Sequence, residues 1–392
     1  MIAYNLLITA IIFVLFLIFL WNLYILRKKK YDKLSDKDLP FISVLVPARN
    51  EEHNINSILT SLLQQDYPRY ELIVLNDNSE DNTGLIINKL KKDHPELKVI
   101  GGKPLEEGWT GKCYACKQLY DASKGEYILF TDADTKHYPN SLRDAVTIAV
   151  KKNADMLSLF PSFTMITFAE KLLMPMLIFT IMMLLPFYFV DKKGFVNFSV
   201  GIGPFMLFRR KAYSDIGTHE SVKSALVEDV WLARKIKEYG LKLVIADGTN
   251  ILSVRMYRGF KDIWEGFSKN IFAGLKFSTP ALITVNTVYI LLFFVPFILL
   301  TVELYLHLLS PNSGMYSHLG INNALFFTGI QVCLLYIARF LLSVKFNLGV
   351  LSSILHPAGA IMVPIIGINS WIWIKLRKGA KWKGRIYAKD IL

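Results

Sequence analysis

Apolar positions along the chain fall into three regimes. Residues Tyr4 to Leu26 are apolar almost without interruption and end in Arg27-Lys28-Lys29-Lys30. From Phe41 to about Met256, short apolar runs alternate with stretches of helical period. Three long apolar stretches, about 282–306, 323–344 and 350–374, then close the chain. The first stretch is long enough to cross a hydrocarbon core of about 30 Å. Its positive charge comes after the apolar run, whereas a cleaved leader carries it in front. The positive-inside rule therefore predicts an outside amino terminus and a cytoplasmic location for the chain beyond Arg27.

The middle regime predicts an α/β domain. Phe41 to Val46 reads as a buried strand, and Pro47-Ala48-Arg49-Asn50-Glu51-Glu52 as the loop opening a helix to about Gln65, with Ile55, Ile58, Leu59, Leu62 and Leu63 on one face. A strand at Glu71 to Leu75 ends in Asn76-Asp77-Asn78-Ser79, a polar helix runs from Asp81 to about His94, and Leu97 to Ile100 is a third strand. Helix 111–124 leads to the strand Tyr127 to Phe130, which stops abruptly at Thr131-Asp132-Ala133-Asp134. Strands alternating with helices over short loops predict a parallel, doubly wound sheet. Further strands are expected at Asp155 to Leu159, Leu241 to Ala246 and Ile251 to Met256, with the soluble fold resuming at Gly203 to Phe208 and a helix from about Val227 to Tyr239.

Two segments test this division. Leu172 to Val190 is apolar enough to cross, but one crossing there would separate Asp134 from Glu228-Asp229, so the segment is expected to lie in the membrane interface as a hydrophobic shelf. Phe260 to Phe277 mixes aromatic and basic residues as a membrane-surface helix does. The predicted organisation is a membrane helix with basic flank at 1–30, a linker at 31–40, a catalytic domain at 41–278 with its interfacial segment at 168–190, membrane helices at 279–376 and a basic tail at 377–392. The topology does not balance. Three crossings after a cytoplasmic domain leave the tail outside, yet Lys375 to Arg385 is strongly basic. Either one stretch is irregular, with 350–374 and its Pro357 and Pro364 the candidate, or the charge rule fails. Arg339, inside the second stretch, must face protein or reach for the interface.

Composition supports a membrane protein with a soluble middle: 53% of the 392 residues are apolar and mean hydropathy is +0.35. The net charge of +13 suits anionic headgroups or a phosphorylated substrate. No basic stripe interleaved with aromatics and no zinc-finger spacing is present, which argues against nucleic acid as a partner. No G-x-G-x-x-G succeeds the first strand, which argues against a dinucleotide. Of three cysteines, Cys113 and Cys116 form C-x-x-C, but there is no second pair or nearby His, so a packed helix face is the expectation.

The chemistry-bearing residues gather where strands end. Asp132 and Asp134, spaced i, i+2 at the carboxyl edge of a sheet, repel each other unless a cation or proton lies between them. A hard divalent metal carrying a phosphorylated substrate explains the pair, and helix capping is the alternative. Asp77 and its polar neighbours suit a base and ribose, again with capping as the alternative. Lys112 starts a helix, where backbone N–H groups favour anions, and an ordinary solvated lysine is equally compatible. Glu228-Asp229 opens a helix, which suits either the helix dipole or a general base taking a proton from an attacking hydroxyl. Arg255 and Arg258 come after a strand and offer two cations to a leaving diphosphate.

In this order Pro47-Ala48-Arg49-Asn50-Glu51-Glu52, Asn76-Asp77-x-Ser79, Asp132-Ala133-Asp134 and Glu228-Asp229 resemble an inverting family 2 glycosyltransferase. The flanking helices, Trp109-x-Gly111-Lys112, Arg255-Met256-Tyr257 with Trp264-Glu265-Gly266-Phe267, and Trp382-Lys383-Gly384-Arg385 are similar to the membrane-bound branch that includes carotenoid, hopanoid-associated and ceramide glucosyltransferases. The resemblance implies a GT-A fold, a doubly wound mixed sheet flanked by transmembrane helices. It implies Pro47, Arg49, Glu51, Asp77, Lys112, Asp132, Arg255 and Arg258 around a UDP-sugar donor, Asp134 on Mg2+ or Mn2+, and Asp229 as base. It further implies transfer of one sugar, glucose from UDP-glucose, to a membrane lipid by a multi-pass enzyme of the cell membrane. Arg255-Met256-Tyr257-Arg258-Gly259 departs from the family's Q-x-x-R-W element, with Arg for Gln and Gly for Trp. That departure weighs against a processive polysaccharide synthase. A non-catalytic scaffold is the other alternative, disfavoured because Asp77, Asp134 and Asp229 are all present.

Overall fold

The apolar runs of the middle regime become strands of one sheet. The structure, a computed structural model, describes residues 2–27, 31–309, 321–377 and 379–387. Lys28 to Lys30 of the basic flank, Lys378 and residues 388–392 of the tail lie outside the described residues. The chain begins with α1 (Ile2–Ile25), then β1 (Ile42–Ala48), α2 (Ile55–Leu63), β2 (Tyr70–Asn76), α3 (Thr83–Asp93) and β3 (Lys98–Gly101). It continues through α4 (Gly111–Asp121), β4 (Tyr127–Phe130), β5 (Thr135–His137), α5 (Ser141–Lys151), β6 (Met156–Phe163) and α6 (Phe168–Leu184). Next come β7 (Met206–Arg209), α7 (Arg210–Asp215), α8 (Glu228–Glu238), β8 (Leu243–Val254) and α9 (Gly259–Gly274). The rest comprises α10 (Thr279–Phe293), α11 (Val295–Leu309), α12 (Ile321–Phe346), α13 (Val350–Ile354), α14 (His356–Lys375), β9 (Ala380–Trp382) and β10 (Arg385–Tyr387).

These elements form two units, each assembled from separated segments. Ile25–Thr164, Phe187–Met256 and Lys378–Leu392 make a sheet unit; Met1–Tyr24, Met165–Pro186 and Tyr257–Arg377 make a helical unit. The sheet has the order β3-β2-β1-β4-β7-β6-β8-β5. The first four strands are parallel, as the alternation predicts. β7 runs antiparallel to both β4 and β6, and β5 antiparallel to β8, so the sheet is mixed. The reason is local: Gly203-Pro204 lead into β7 at the carboxyl edge of β4, where Met206 lies opposite Phe130, so the strand runs back down the sheet. Where two strands were expected between Leu241 and Met256, β8 is one strand, irregular opposite Pro161/Ser162. Asp247-Gly248-Thr249 imitates a turn, but pairing with β6 resumes beyond it. β5 and α7 are too short to show a period, and the sequence pattern did not indicate them.

Strand faces explain the core. Val44, Val46, Leu72, Val74, Leu129, Leu157, Leu207 and Val244 are buried in a cluster with Ile55, Ile58, Leu59 and Leu62 of α2. Pro47 is tolerated in a central strand because β4 pairs β1 only as far as Leu45↔Phe130; beyond that, β2 alone flanks it.

Among the described residues, four helices are long and apolar enough to cross a membrane: Ala3–Ile25, Thr279–Leu308, Asn323–Phe346 and His356–Lys375. The stretch 350–374 is indeed broken, at Leu355 before Pro357, but its second part is still a full-length candidate, and a further irregularity interrupts the stretch 282–306 at Phe294. Residues 172–190 do not form one continuous shelf. α6 ends at Leu184, and Leu173, Met174, Met176, Ile178, Phe179, Met182 and Met183 are buried. Apolar side chains on several faces make α6 a packed helix of its unit rather than a one-sided surface helix. α9 packs within the same unit, its backbone N–H at Phe272 donating to Ser370 Oγ at 3.0 Å.

Arg339 faces protein. Its guanidinium is fully buried, donates to the carbonyls of Pro175 (2.9 Å) and Ser352, and lies over the Phe179 ring. Arg339→Ala leaves both carbonyls without this donor and opens a cavity. It is expected to destabilise the protein by about 3 kcal/mol, read as a lower Tm in detergent.

Candidate active site

Parallel pairing brings the chemistry together. Ala48 lies opposite Asn76 and Leu45 opposite Phe130, so the chain leaves β1, β2 and β4 at one edge and delivers Arg49, Asp77 and Asp132 there. The turn after β4 is braced from below. Thr135 donates through its backbone N–H and its hydroxyl to the Asp132 carbonyl (3.2 and 2.8 Å). Thr131 Oγ1 donates to Pro204 O at 2.8 Å and stands 2.9 Å from His137 Nε2, whose Nδ1 is 2.8 Å from Ser141 Oγ. Burial pushes His137 down to about 3, so the brace is uncharged.

Lys112, at the start of α4, stands 2.7 Å from both Asp132 Oδ1 and Glu228 Oε1. Burial would lower its pKa, but the two carboxylates outweigh burial and hold it well above its ordinary value. Asp229 accepts hydrogen bonds from the backbone N–H groups of Gly203 (3.0 Å) and Val230 (2.8 Å). Burial and the Glu228 charge raise it to about 6, partly offset by Lys112. Glycine is required where the loop before β7 passes this helix start: a Cβ at Gly201 would collide with the Asp229 carbonyl oxygen. A Cβ at Gly203 would lie 3.2 Å from Asp132 Oδ2 and 3.3 Å from Asp229 Oδ2. Asp132, Lys112 and Asp229 thus meet around the Gly203 backbone.

Asp134 is different in kind. Its Oδ1 is buried without a hydrogen-bond partner. Burial, and after it the charges of Asp132 and Glu51, raise it to about 8. Arg49 holds the loop after β2, donating to the carbonyls of Asp77 (2.8 Å) and Asn78 (2.7 Å) and pairing with Glu80. Cys113 and Cys116 are both buried, with Cys113 Sγ 3.4 Å from Val222 O, as a packed helix face requires.

Residues 43–217 match the family profile described as Glycosyl transferase family 2. The chain carries a family 2 glycosyltransferase domain. The 4,4'-diaponeurosporenoate glycosyltransferase of Staphylococcus aureus (strain N315) is 27% identical over 262 residues, covering 64% of this chain and 67% of the relative. That of Staphylococcus haemolyticus (strain JCSC1435) is 28% identical over 244 residues, covering 61% and 63%. The mannosyltransferase PcManGT from Pyrobaculum calidifontis, solved in complex with GDP-Man and Mn2+, superposes with a TM-score of 0.55 at 19% identity over 95% of this chain and 99% of its own. The sheet of this glycosyltransferase domain is accordingly of GT-A type.

Within the glycosyltransferase domain, the expected residues Arg49, Glu51, Asp77, Lys112, Asp132, Asp134 and Asp229 lie along this carboxyl edge, and Pro47 lies in β1 just before it. Arg255 reaches Asp134 through its backbone, its N–H donating to the Asp134 carbonyl at 3.2 Å. Arg258 belongs to the helical unit, where it caps α9 and its N–H donates to Asp262 at 3.1 Å. Among the described residues no three His, Cys, Asp or Glu side chains are grouped to hold a metal by themselves. The donor set nevertheless fits a hard cation that brings further oxygen ligands with its substrate: a buried carboxylate oxygen of Asp134 lacking a partner, within electrostatic reach of the Asp132 and Glu51 charges.

Sequence reasoning missed two cations. The carboxyl-terminal hairpin β9/β10 returns to this edge, pairing Lys383 with Glu51 and Arg385 with Asp77. The Lys383-Gly384 turn between two short extended runs was the available signal. Because the tail meets Asp77, it lies on the same side of any membrane as the sheet unit. If residues 257–377 cross a bilayer, they cross it an even number of times, so the three candidate helices described there cannot all span it.

Proposed function

We propose that this protein is an inverting transferase that moves one sugar from a nucleotide sugar, UDP-glucose, to a membrane lipid. The observation that carries the reading is the meeting of Asp132, Lys112 and Asp229 around Gly203, together with the buried Oδ1 of Asp134, which has no hydrogen-bond partner. Asp229, raised to about 6, is ionised at neutral pH yet basic enough to take a proton from an attacking hydroxyl. Its two backbone donors fix the direction of its lone pairs. Lys112 keeps Asp132 oriented and tempers the acid cluster. Asp77 comes directly after β2, where it would accept from base or ribose once released from Arg385. Asp134, assisted by Asp132 and Glu51, would hold Mg2+ or Mn2+, which supplies charge stabilisation to the departing diphosphate.

The apolar helices support a lipid acceptor, and the curated relatives are named for 4,4'-diaponeurosporenoate. The proposed location is the cell membrane, multi-pass, with the sheet unit in the cytoplasm. The test is nucleotide release by the detergent-purified full-length protein offered UDP-glucose, other UDP-sugars and GDP-mannose, with Mg2+ or Mn2+ and a lipid extract. The panel includes GDP-mannose because PcManGT was solved with GDP-Man. Release with UDP-glucose, dependent on both metal and lipid, is the expected result. Release with another donor alone corrects the sugar, long products indicate a processive synthase, and absence of nucleotide binding overturns the reading.

A further inference from the structure

The hairpin at the carboxyl terminus is built to deliver its tip. β9 and β10 pair antiparallel with Arg385 opposite Trp382, leaving the two-residue turn Lys383-Gly384. Both turn residues are left-handed, φ 45° and 80°. This is the turn whose twist suits a tight hairpin, and a lysine in its first position accepts a conformation that side chains other than glycine, asparagine and aspartate seldom adopt. The tip is held on three sides. Arg49 Nε donates to the Lys383 carbonyl at 3.3 Å, Lys383 Nζ pairs with Glu51, and Arg385 grips both oxygens of Asp77 at 2.5 and 2.9 Å. The two acids are mostly buried, with side-chain exposures of 11% and 8%. The Arg385 guanidinium also fills the space at the start of α4, where a Cβ on Gly111 would collide with Nη1.

This arrangement conflicts with a donor site in its loaded state. While Arg385 takes a lone pair on each Asp77 oxygen, only the remaining lone pairs of a mostly buried carboxylate are left for a base or ribose. The arriving diphosphate adds negative charge to an edge already lined by Glu51, Asp77, Asp132, Asp134, Glu228 and Asp229. Lys112, the cation expected to meet it, is engaged between Asp132 and Glu228. The tip brings two further cations, Lys383 and Arg385, to this edge. A guanidinium fork matches phosphate oxygens as well as carboxylate oxygens. The start of α4 favours phosphate over the guanidinium that now lies against it.

We propose that the hairpin is the leaving-group arm of the donor site: Lys383 and Arg385 exchange Glu51 and Asp77 for the diphosphate of the nucleotide sugar, and that exchange frees Asp77 for the nucleoside. The inference rests on the nucleotide-sugar reading of the site. It makes the last residues of the described chain part of the substrate site, and couples closure of the arm to the presence of a diphosphate.

The test is equilibrium binding to full-length protein in detergent with Mn2+, comparing UDP, UMP and uridine, and the guanosine series in parallel. In Lys383→Gln/Arg385→Gln, diphosphate affinity is expected to fall about 100-fold, while nucleoside affinity is kept or rises because Asp77 is released. Arg385→Lys, which keeps the charge but loses the fork, is expected to fall between. Equal losses for diphosphate and nucleoside would make the hairpin a merely structural element, and tighter diphosphate binding in the variants would make it an inhibitory plug; either overturns the proposal. Wild-type protein that binds no nucleoside diphosphate would overturn the donor reading itself, and variants that match a binding-competent wild type would overturn the arm alone.

Discussion

Asp229→Asn is expected to lower turnover about 1,000-fold while leaving donor affinity intact. The substitution keeps the size of the side chain but only one acceptor oxygen, so it retains one of the two backbone partners, Gly203 at Oδ2 or Val230 at Oδ1, and an unchanged Tm is the control that the turn at the start of α8 survives. What it removes is the lone pair that takes the acceptor proton. The wild-type rate should rise with pH through about 6 and then level, because Asp229 is raised to that value and works only without its proton. The asparagine variant should lose that limb of the profile. Measurement of kcat and donor Kd across pH 5 to 8 checks both parts. Turnover that survives the substitution means either that the acceptor is already ionised, a lipid carboxylate for which no base is needed, or that Asp229 is not the base.

Asp134→Asn separates chemistry from stability. Donor turnover is expected to fall about 100- to 1,000-fold, since the charge developing on the diphosphate loses its metal-bearing carboxylate. Stability in the absence of metal should move the other way. Asp134 has its folded-state pKa raised from 3.8 to about 8, so the folded protein holds this proton more tightly than the unfolded chain does. That contribution is complete below about pH 4 and is lost as pH rises through 8. Asparagine has no proton to lose. The variant should therefore match the wild type near pH 4 and melt several degrees higher at pH 8 and above. Mn2+ should raise the wild-type Tm at pH 8 and leave the variant unmoved. Thermal scans at the two pH values, with and without Mn2+, give a result independent of any activity assay. A variant that melts below the wild type at pH 8 would show that Asp134 is held by partners other than a cation.

The acids at the strand ends were legible because the signal is local. Tyr127 to Phe130 is a buried run that turns polar within one residue, and a chain leaving a parallel strand must emerge at the carboxyl edge. The same logic places Asp77 at the end of β2. The C-x-x-C of Cys113 and Cys116 was legible too, since spacing alone places both thiols on one helix face. Legibility failed where the period was ambiguous or the partner distant. Residues 172–190 look alike whether they lie on a surface or fill a bundle, because an all-round apolar stretch has no polar face to mark its orientation. The single strand β8 reads as two because Asp247-Gly248-Thr249 has the composition of a turn, and the pairing with β6 that spans it is not local.

What the sequence determined by itself is therefore the inventory: apolar helices long enough for a bilayer, an alternating α/β middle, and the carboxylates that end its strands. All of these are set by the neighbours of each residue, through period, length and abrupt changes of polarity. Tertiary structure alone decided which ends meet. It inserted β7 antiparallel between β4 and β6, brought Gly203 against Asp229, and carried Arg385 to Asp77 across 308 positions of chain. Contacts at such separation leave no periodic trace, because they are fixed by the packing of whole elements and by complementary charge at the point of contact, neither of which is written in the residues on either side.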